Sequence, residues 1–119
     1  MPVKEIAFTM YPVSDLKRAV AFYTDVLGLK QSGLASDAWV EFDINGACFG
    51  VGNFPQIGTP GTAGSLALEI DDLDAFRKEL AAKGHETGEP YETPVCFITA
   101  ISDPDGNKVV LHKQKAHAH

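Results

Sequence analysis

Groups able to move a proton or hold an ion are few in this chain, and they fall on strand-like runs. Glu41 sits in Trp39-Val40-Glu41-Phe42-Asp43, where apolar and polar residues alternate. Glu69 lies in the run from Ser65 to Ile70, and His112 follows Lys108-Val109-Val110-Leu111. A carboxylate in such a place does acid–base work only when burial beside an apolar wall raises its pKa; otherwise it is a solvated strand-face group. His112, near the end of the last run, is either a surface histidine or a base. Glu41, Glu69 and His112 are therefore the catalytic candidates. Cys96, within ETPVC, has nothing basic nearby in sequence to activate its thiol. Cys48, on an apolar run, is expected to pack in the core. His117 and His119 end a KQKAHAH tail, expected to be disordered and to pick up stray metal. The stretch Gly46-Ala47-Cys48-Phe49-Gly50 matches neither a phosphate loop nor a dinucleotide fingerprint, and no nucleophile elbow is present.

The chain that must position these groups has 119 residues, one domain's worth. With 45% hydrophobic and 22% charged residues it has the balance of a folded globular protein, which excludes disorder and fibrous repeats. A net charge of -6 opposes binding to a phosphate backbone, so no nucleic-acid partner is expected. No apolar run approaches the roughly 20 residues of a membrane span, so no membrane partner is expected either. The N-terminal MPVKEIAF lacks the apolar stretch of an export signal, and a cytoplasmic protein with reduced Cys48 and Cys96 is expected.

Two segments of the chain repeat one plan. Val13-Ser14-Asp15-Leu16 and Ile70-Asp71-Asp72-Leu73 each open a helical pattern, 57 residues apart, and the turns Asn45-Gly46 and Asp105-Gly106 lie 60 apart. Each copy reads as a βαβββ module, over residues 3–54 and 65–113. A Pro-, Gly- and Thr-rich linker (55–64) joins them, and a flexible tail (114–119) follows. The first helix carries the stripe Leu16, Ala19, Val20, Tyr23, Val26 and Leu27, with Ser14 as the expected N-cap and Gly28 just past the end. The second has Asp72 as cap, Leu73, Phe76 and Leu80 as stripe and Gly84 as stop. Asn45-Gly46 is the strongest hairpin signal. The fold class expected is α+β.

Through PVSDLKRAVAFYTDVLGLK (12–30), ALEIDDLDAFRKELAAKG (67–84) and SDPDGNKVVLH (102–112), the chain resembles the vicinal oxygen chelate superfamily. That superfamily includes glyoxalase I, extradiol dioxygenases, fosfomycin-resistance enzymes and bleomycin-binding proteins. The resemblance runs from about Val3 to Lys113. It implies two tandem βαβββ modules forming a cupped mixed sheet around a cleft, assembled as a homodimer that often exchanges modules. Metal-using relatives place ligands at positions that correspond to Phe8, Gly50, Ser65 and Val110. Phe8 stands where relatives often have His, and Val110 where they often have Glu. Metal sites need imidazole nitrogen or carboxylate oxygen, so these departures imply no metal and no cofactor. A shift of the match by a residue or two would instead recruit Glu41 or Glu69, which leaves a metal-dependent lyase or dioxygenase open.

If Phe8 faces the cleft, strand alternation turns Met10, Trp39, Glu41, Ser65, Glu69, Val110 and His112 the same way. Carrying the 60-residue offset across adds Phe97, Thr99 and Ile101. Such a wall is mostly apolar with sparse polar groups, the usual make-up of a small-molecule site. The leading expectation is a metal-free binder of a small apolar or aromatic molecule, with Glu41 or Glu69 available to a ligand cation. A lyase or isomerase acting on a small carbonyl compound through a carboxylate or His112 stays open, as does a cleft filled by its own side chains.

Overall fold

The repeat in the sequence becomes a repeat of sheet topology. In a computed structural model, which describes residues 2–116, the elements follow one another as β1 (Thr9–Pro12), α1 (Leu16–Ala21), β2 (Lys30–Ala35), β3 (Trp39–Ile44), β4 (Ala47–Gly52), β5 (Leu66–Glu69), α2 (Leu73–Ala82), β6 (Tyr91–Glu92), β7 (Cys96–Ser102) and β8 (Lys108–Gln114). The first four strands form one mixed sheet in the order β1-β4-β3-β2, and the last four form another in the order β5-β8-β7-β6. In both, the opening strand runs parallel to the closing strand and the remaining pairs are antiparallel. This is the α+β, twice-βαβββ architecture. The chain forms two compact units: one runs to Ala63 and includes Pro104–Asn107, and the other comprises Gly64–Asp103 and the chain from Lys108 onward. His117 and His119 lie outside the described residues.

In the first unit, one face of the sheet packs on α1. Tyr11 and Val13 are buried there with Val40, Phe42, Phe49 and Val51. The cap of α1 is Asp15, whose side chain accepts the Arg18 N–H at 3.1 Å. Ser14, expected as the cap, instead gives its hydroxyl and its N–H to the Asp105 carboxylate, at 2.5 and 3.0 Å. The helix does not continue in α form through its apolar stripe. Phe22–Val26 is a π turn, closed by Leu27 N–H on the Phe22 carbonyl, and the Thr24 hydroxyl donates to the Val20 carbonyl within it. The wider turn accompanies burial of two successive aromatics, Phe22 and Tyr23, which a 3.6-residue period does not readily allow. The Tyr23 ring then meets Phe42 and Phe49 at 5.8 and 5.2 Å.

In the second unit the expected devices are in place. Asp72 accepts the Ala75 N–H, Leu73 and Leu80 are buried, and Gly84 ends the helix at φ +87°. The hairpins differ. Asn45 and Gly46 both take positive φ in a two-residue turn, so Glu41 pairs with Gly50. Ser102 pairs with Lys108, which makes the second connection five residues long, and Ala100, not Ile101, stands opposite Val110. A one-residue slip moves every side chain to the other face. Thr99 and Ile101 therefore lie beside Leu111 and Val109 in the core, and Phe97 lies beside Lys113. The face shared with Val110 and His112 carries Ile98, Ala100 and Ser102. This corrects the expected orientation of Phe97, Thr99 and Ile101.

Asn107 ties the first unit together. Fully buried, its Oδ1 accepts the N–H groups of Gly61 and Ala63, and its Nδ2 donates to the Pro12 carbonyl at 2.8 Å. Asn107→Ala leaves the buried Pro12 carbonyl and the part-buried Gly61 and Ala63 N–H groups without these partners, at a cost of about 2–3 kcal/mol. Urea unfolding followed by circular dichroism should show a clearly lowered midpoint; an unchanged midpoint would mean these bonds contribute nothing net.

Candidate functional site

On the first unit's sheet, the face opposite the core carries a chemically simple surface. Pairing places Met10, Gly50, Glu41 and Ser32 in one row across the sheet, and Pro12, Gly52 and Trp39 in the next. Two of the β4 positions on this face are glycines, and that decides the surface. The six-membered ring of the Trp39 indole spans them: a Cβ on Gly50 would collide with it, and one on Gly52 would meet Trp39 Cε3 at 3.0 Å and Phe54 Cε1 at 2.9 Å. The indole thus lies across the sheet rather than standing off it. Phe8 meets it in a T-shaped contact at 5.3 Å, and Phe54 tilts against it at 6.2 Å.

These rings border an open concavity of about 510 Å³, lined by Phe8, Met10, Trp39, Glu41, Phe54, Gln56 and Ile57. Its volume falls in the range usual for small-molecule sites. Phe8 is 44% and Met10 42% exposed, unusual for large apolar side chains on a sheet face. Four of the sequence-derived candidates, Phe8, Met10, Trp39 and Glu41, are thus brought together. Phe54, Gln56 and Ile57 come from a stretch that reads as module end and linker; there Pro55 opens a 3-10 turn over Pro55–Ile57. Nothing in the sequence reading marked them; an aromatic beside a turn-forming proline is the one signal that could have.

Glu41 is the charged member of the lining. Its Oε1 lies directly over Gly33, where a Cβ would come within 2.5 Å; Gly33 takes φ +63° at an irregularity in the β2–β3 register. Cys48 shares this face, not the core face expected for it. Burial pushes the Cys48 thiol up from its ordinary pKa, and the charge of Glu41, a hydrogen bond to it and the charge of Asp43 push the same way. A thiol held protonated is a weak nucleophile. Cys96 is buried, with its sulfur 3.1 Å from the Thr93 hydroxyl.

The remaining candidates belong to the second unit. Val110 stands in a row with Ala67 and Ala100, and Ser65 precedes β5 as an exposed residue. Glu69 pairs with His112 across β5 and β8, its Oε1 2.5 Å from His112 Nδ1. The Gln114 N–H, donated at 2.8 Å, holds the Glu69 carboxyl below its ordinary pKa. Burial opposes this, and the His112 hydrogen bond and charge add to the lowering. That direction keeps Glu69 an anion and argues against a proton-donor role. Thr99 gives its hydroxyl to the Gly88 carbonyl at 2.7 Å, inside the unit.

The four positions that the resemblance marks for metal ligands do not fit an ion. Phe8 turns an aromatic ring to Trp39, Gly50 has no side chain and is covered by the indole, Val110 is aliphatic, and Ser65 offers one neutral hydroxyl. Among the described residues, no three His, Cys, Asp or Glu side chains cluster in a way that would hold a metal. No helix among them is long and apolar enough to cross a membrane.

Residues 5–111 match the Glyoxalase/Bleomycin resistance protein/Dioxygenase superfamily. The chain is 31% identical to the lactoylglutathione lyase of Escherichia coli O157:H7 over 90% of each chain, and 30% identical to that of Haemophilus influenzae over 94% of each. In structure it is similar to TnmS3, an antibiotic binding protein from Streptomyces sp. CB03234, with a TM-score of 0.85 and 28% identity over 97% of this chain and 99% of that one. A lactoylglutathione lyase from Agrobacterium tumefaciens shares the fold at TM-score 0.79 and 23% identity, over 95% of this chain and 96% of that one.

The lowered pKa of Glu69 has a signed consequence. A carboxyl whose folded pKa lies below its unfolded value adds stability above the unfolded value, about 4.3 for Glu, and loses it as pH falls through the folded one. Glu69→Gln should therefore melt below the wild type at neutral pH, and the gap should close only in acid. A gap of constant size from neutral to acidic pH would show that packing rather than charge is at stake.

Proposed function

The chain belongs to the glyoxalase/bleomycin resistance protein/dioxygenase superfamily, and from that premise we propose that it is a binding protein for a small, largely apolar aromatic molecule, held on the first unit without a metal ion. The observation that carries this reading is the Trp39 indole laid over Gly50 and Gly52, with Phe8 and Phe54 against it. A ligand entering the concavity stacks on preformed rings and buries apolar surface at roughly 25 cal/mol per Å². Donor-poor residues at the metal positions support the same reading, as does the likeness to a protein described as antibiotic binding. A homodimer belongs to it too: Val3 and Ile6, ahead of β1, stand 67% and 82% exposed and suit burial against a second copy.

A second reading, a lyase, is favoured by the Glu69–His112 pair and by the identity to lactoylglutathione lyases. In it Glu69 orients His112, and His112 is the base.

Calorimetric titration with acridine, a planar aromatic probe, separates the two. The binding reading predicts saturable binding unaffected by EDTA and weakened about tenfold or more in Trp39→Ala. Absence of binding, or binding that EDTA abolishes, overturns it. Formation of lactoylglutathione by the purified protein, lost in His112→Ala, selects the lyase.

A further inference from the structure

The aromatic surface explains why a flat molecule would stay, but not which one. Among the seven residues that line the concavity, Glu41 alone carries charge; the others are apolar apart from the neutral amide of Gln56. The setting of Glu41 is specific. Gly33, with no side chain, leaves room for its Oε1, and the Cys48 thiol hydrogen-bonds to it from the next strand. A thiol is a weak donor, and Glu41 forms no ion pair with any described residue. A half-buried carboxylate without a cationic partner, set beside aromatic faces, is a strong acceptor for a charged donor. The same faces attract cations through their ring quadrupoles. Both effects act in one direction.

We infer that the concavity selects planar aromatic ligands that carry a protonated nitrogen, with Glu41 as the residue that determines this choice. The inference rests on the proposed binding function and adds the chemical class of the ligand. An anionic ligand would bring its charge against Glu41 and Asp43. A neutral one would leave the carboxylate with only the thiol. The net charge of -6 adds long-range attraction for any cation, so a test has to separate the local carboxylate from the overall field.

Three ring systems of similar shape do so at neutral pH: 9-aminoacridine as the cation, acridine as the neutral probe and anthracene-9-carboxylate as the anion. Calorimetric titration of the full chain should place the cation about tenfold or more ahead of acridine, with the anion weakest. Glu41→Gln should bring the cation down to the acridine level, with the fold of the variant checked by circular dichroism. Glu79→Gln removes the same charge from an exposed position on α2 and should keep the full preference. Equal binding of cation and neutral probe by the wild type overturns the inference while leaving the binding function intact. So does a preference that survives Glu41→Gln or vanishes in Glu79→Gln. Should Glu41→Gln fail to fold, the wild-type ratio of cation to neutral probe decides alone. Failure of all three probes to bind removes the proposed function and this inference together.

Discussion

The first unit is organised around one steric concession: β4 gives up side chains at Gly50 and Gly52 so that an indole can lie across the sheet. Neither glycine is there for its backbone angles, since neither takes a positive φ. They are there because the ring occupies the volume that a Cβ would need. Once Trp39 is in that position, Phe8 and Phe54 have a surface to pack against, and the 3-10 turn at Pro55–Ile57 has a wall to complete. The cost is a sheet face with large apolar groups open to water. Such surface is hard to account for unless something covers it.

The same concession bears on one of the positions that the resemblance marks for metal ligands, Gly50. A coordinated ion needs several nitrogen or oxygen donors converging at a little over 2 Å. A phenyl ring, a bare glycine under an indole, an isopropyl group and one hydroxyl do not supply them. The two units share strand order and direction while their exposed faces have diverged. Where the first has Met10, Gly50 and Glu41 in a row, the second has Ala67, Val110 and Ala100. The second unit's charge is instead spent within its own sheet, where Glu69 is held by His112 and the Gln114 N–H.

Much of this could be read from residue order alone, and the exceptions have particular causes. The duplication, both helices and the Asn45-Gly46 hairpin follow from short-range patterns that tertiary packing reinforced, and the common face of Phe8, Met10, Trp39 and Glu41 follows from strand alternation once the resemblance sets Phe8 toward the cleft. The face of β7 did not follow, because a five-residue connection replaced an expected tight turn and strand alternation carries no memory across a loop of unknown length. The π turn escaped because it goes with the burial of Phe22 and Tyr23 together, which depends on tertiary packing rather than on local pattern. Ser14 looked like a cap and is bound by Asp105, 91 residues away. Phe54 and Ile57 were hidden by their setting, since a Pro-rich stretch reads as a connection whatever its side chains touch.

The account is tested most directly by following backbone and indole N–H resonances of the labelled protein as 9-aminoacridine is added, with and without EDTA. Perturbations concentrated at the Trp39 indole, Glu41, Gly50, Gly52 and Phe54, and identical in chelator, are what it predicts. Perturbations centred instead on Ser65, Glu69, Val110 and His112, or ones that vanish when divalent ions are removed, would contradict it.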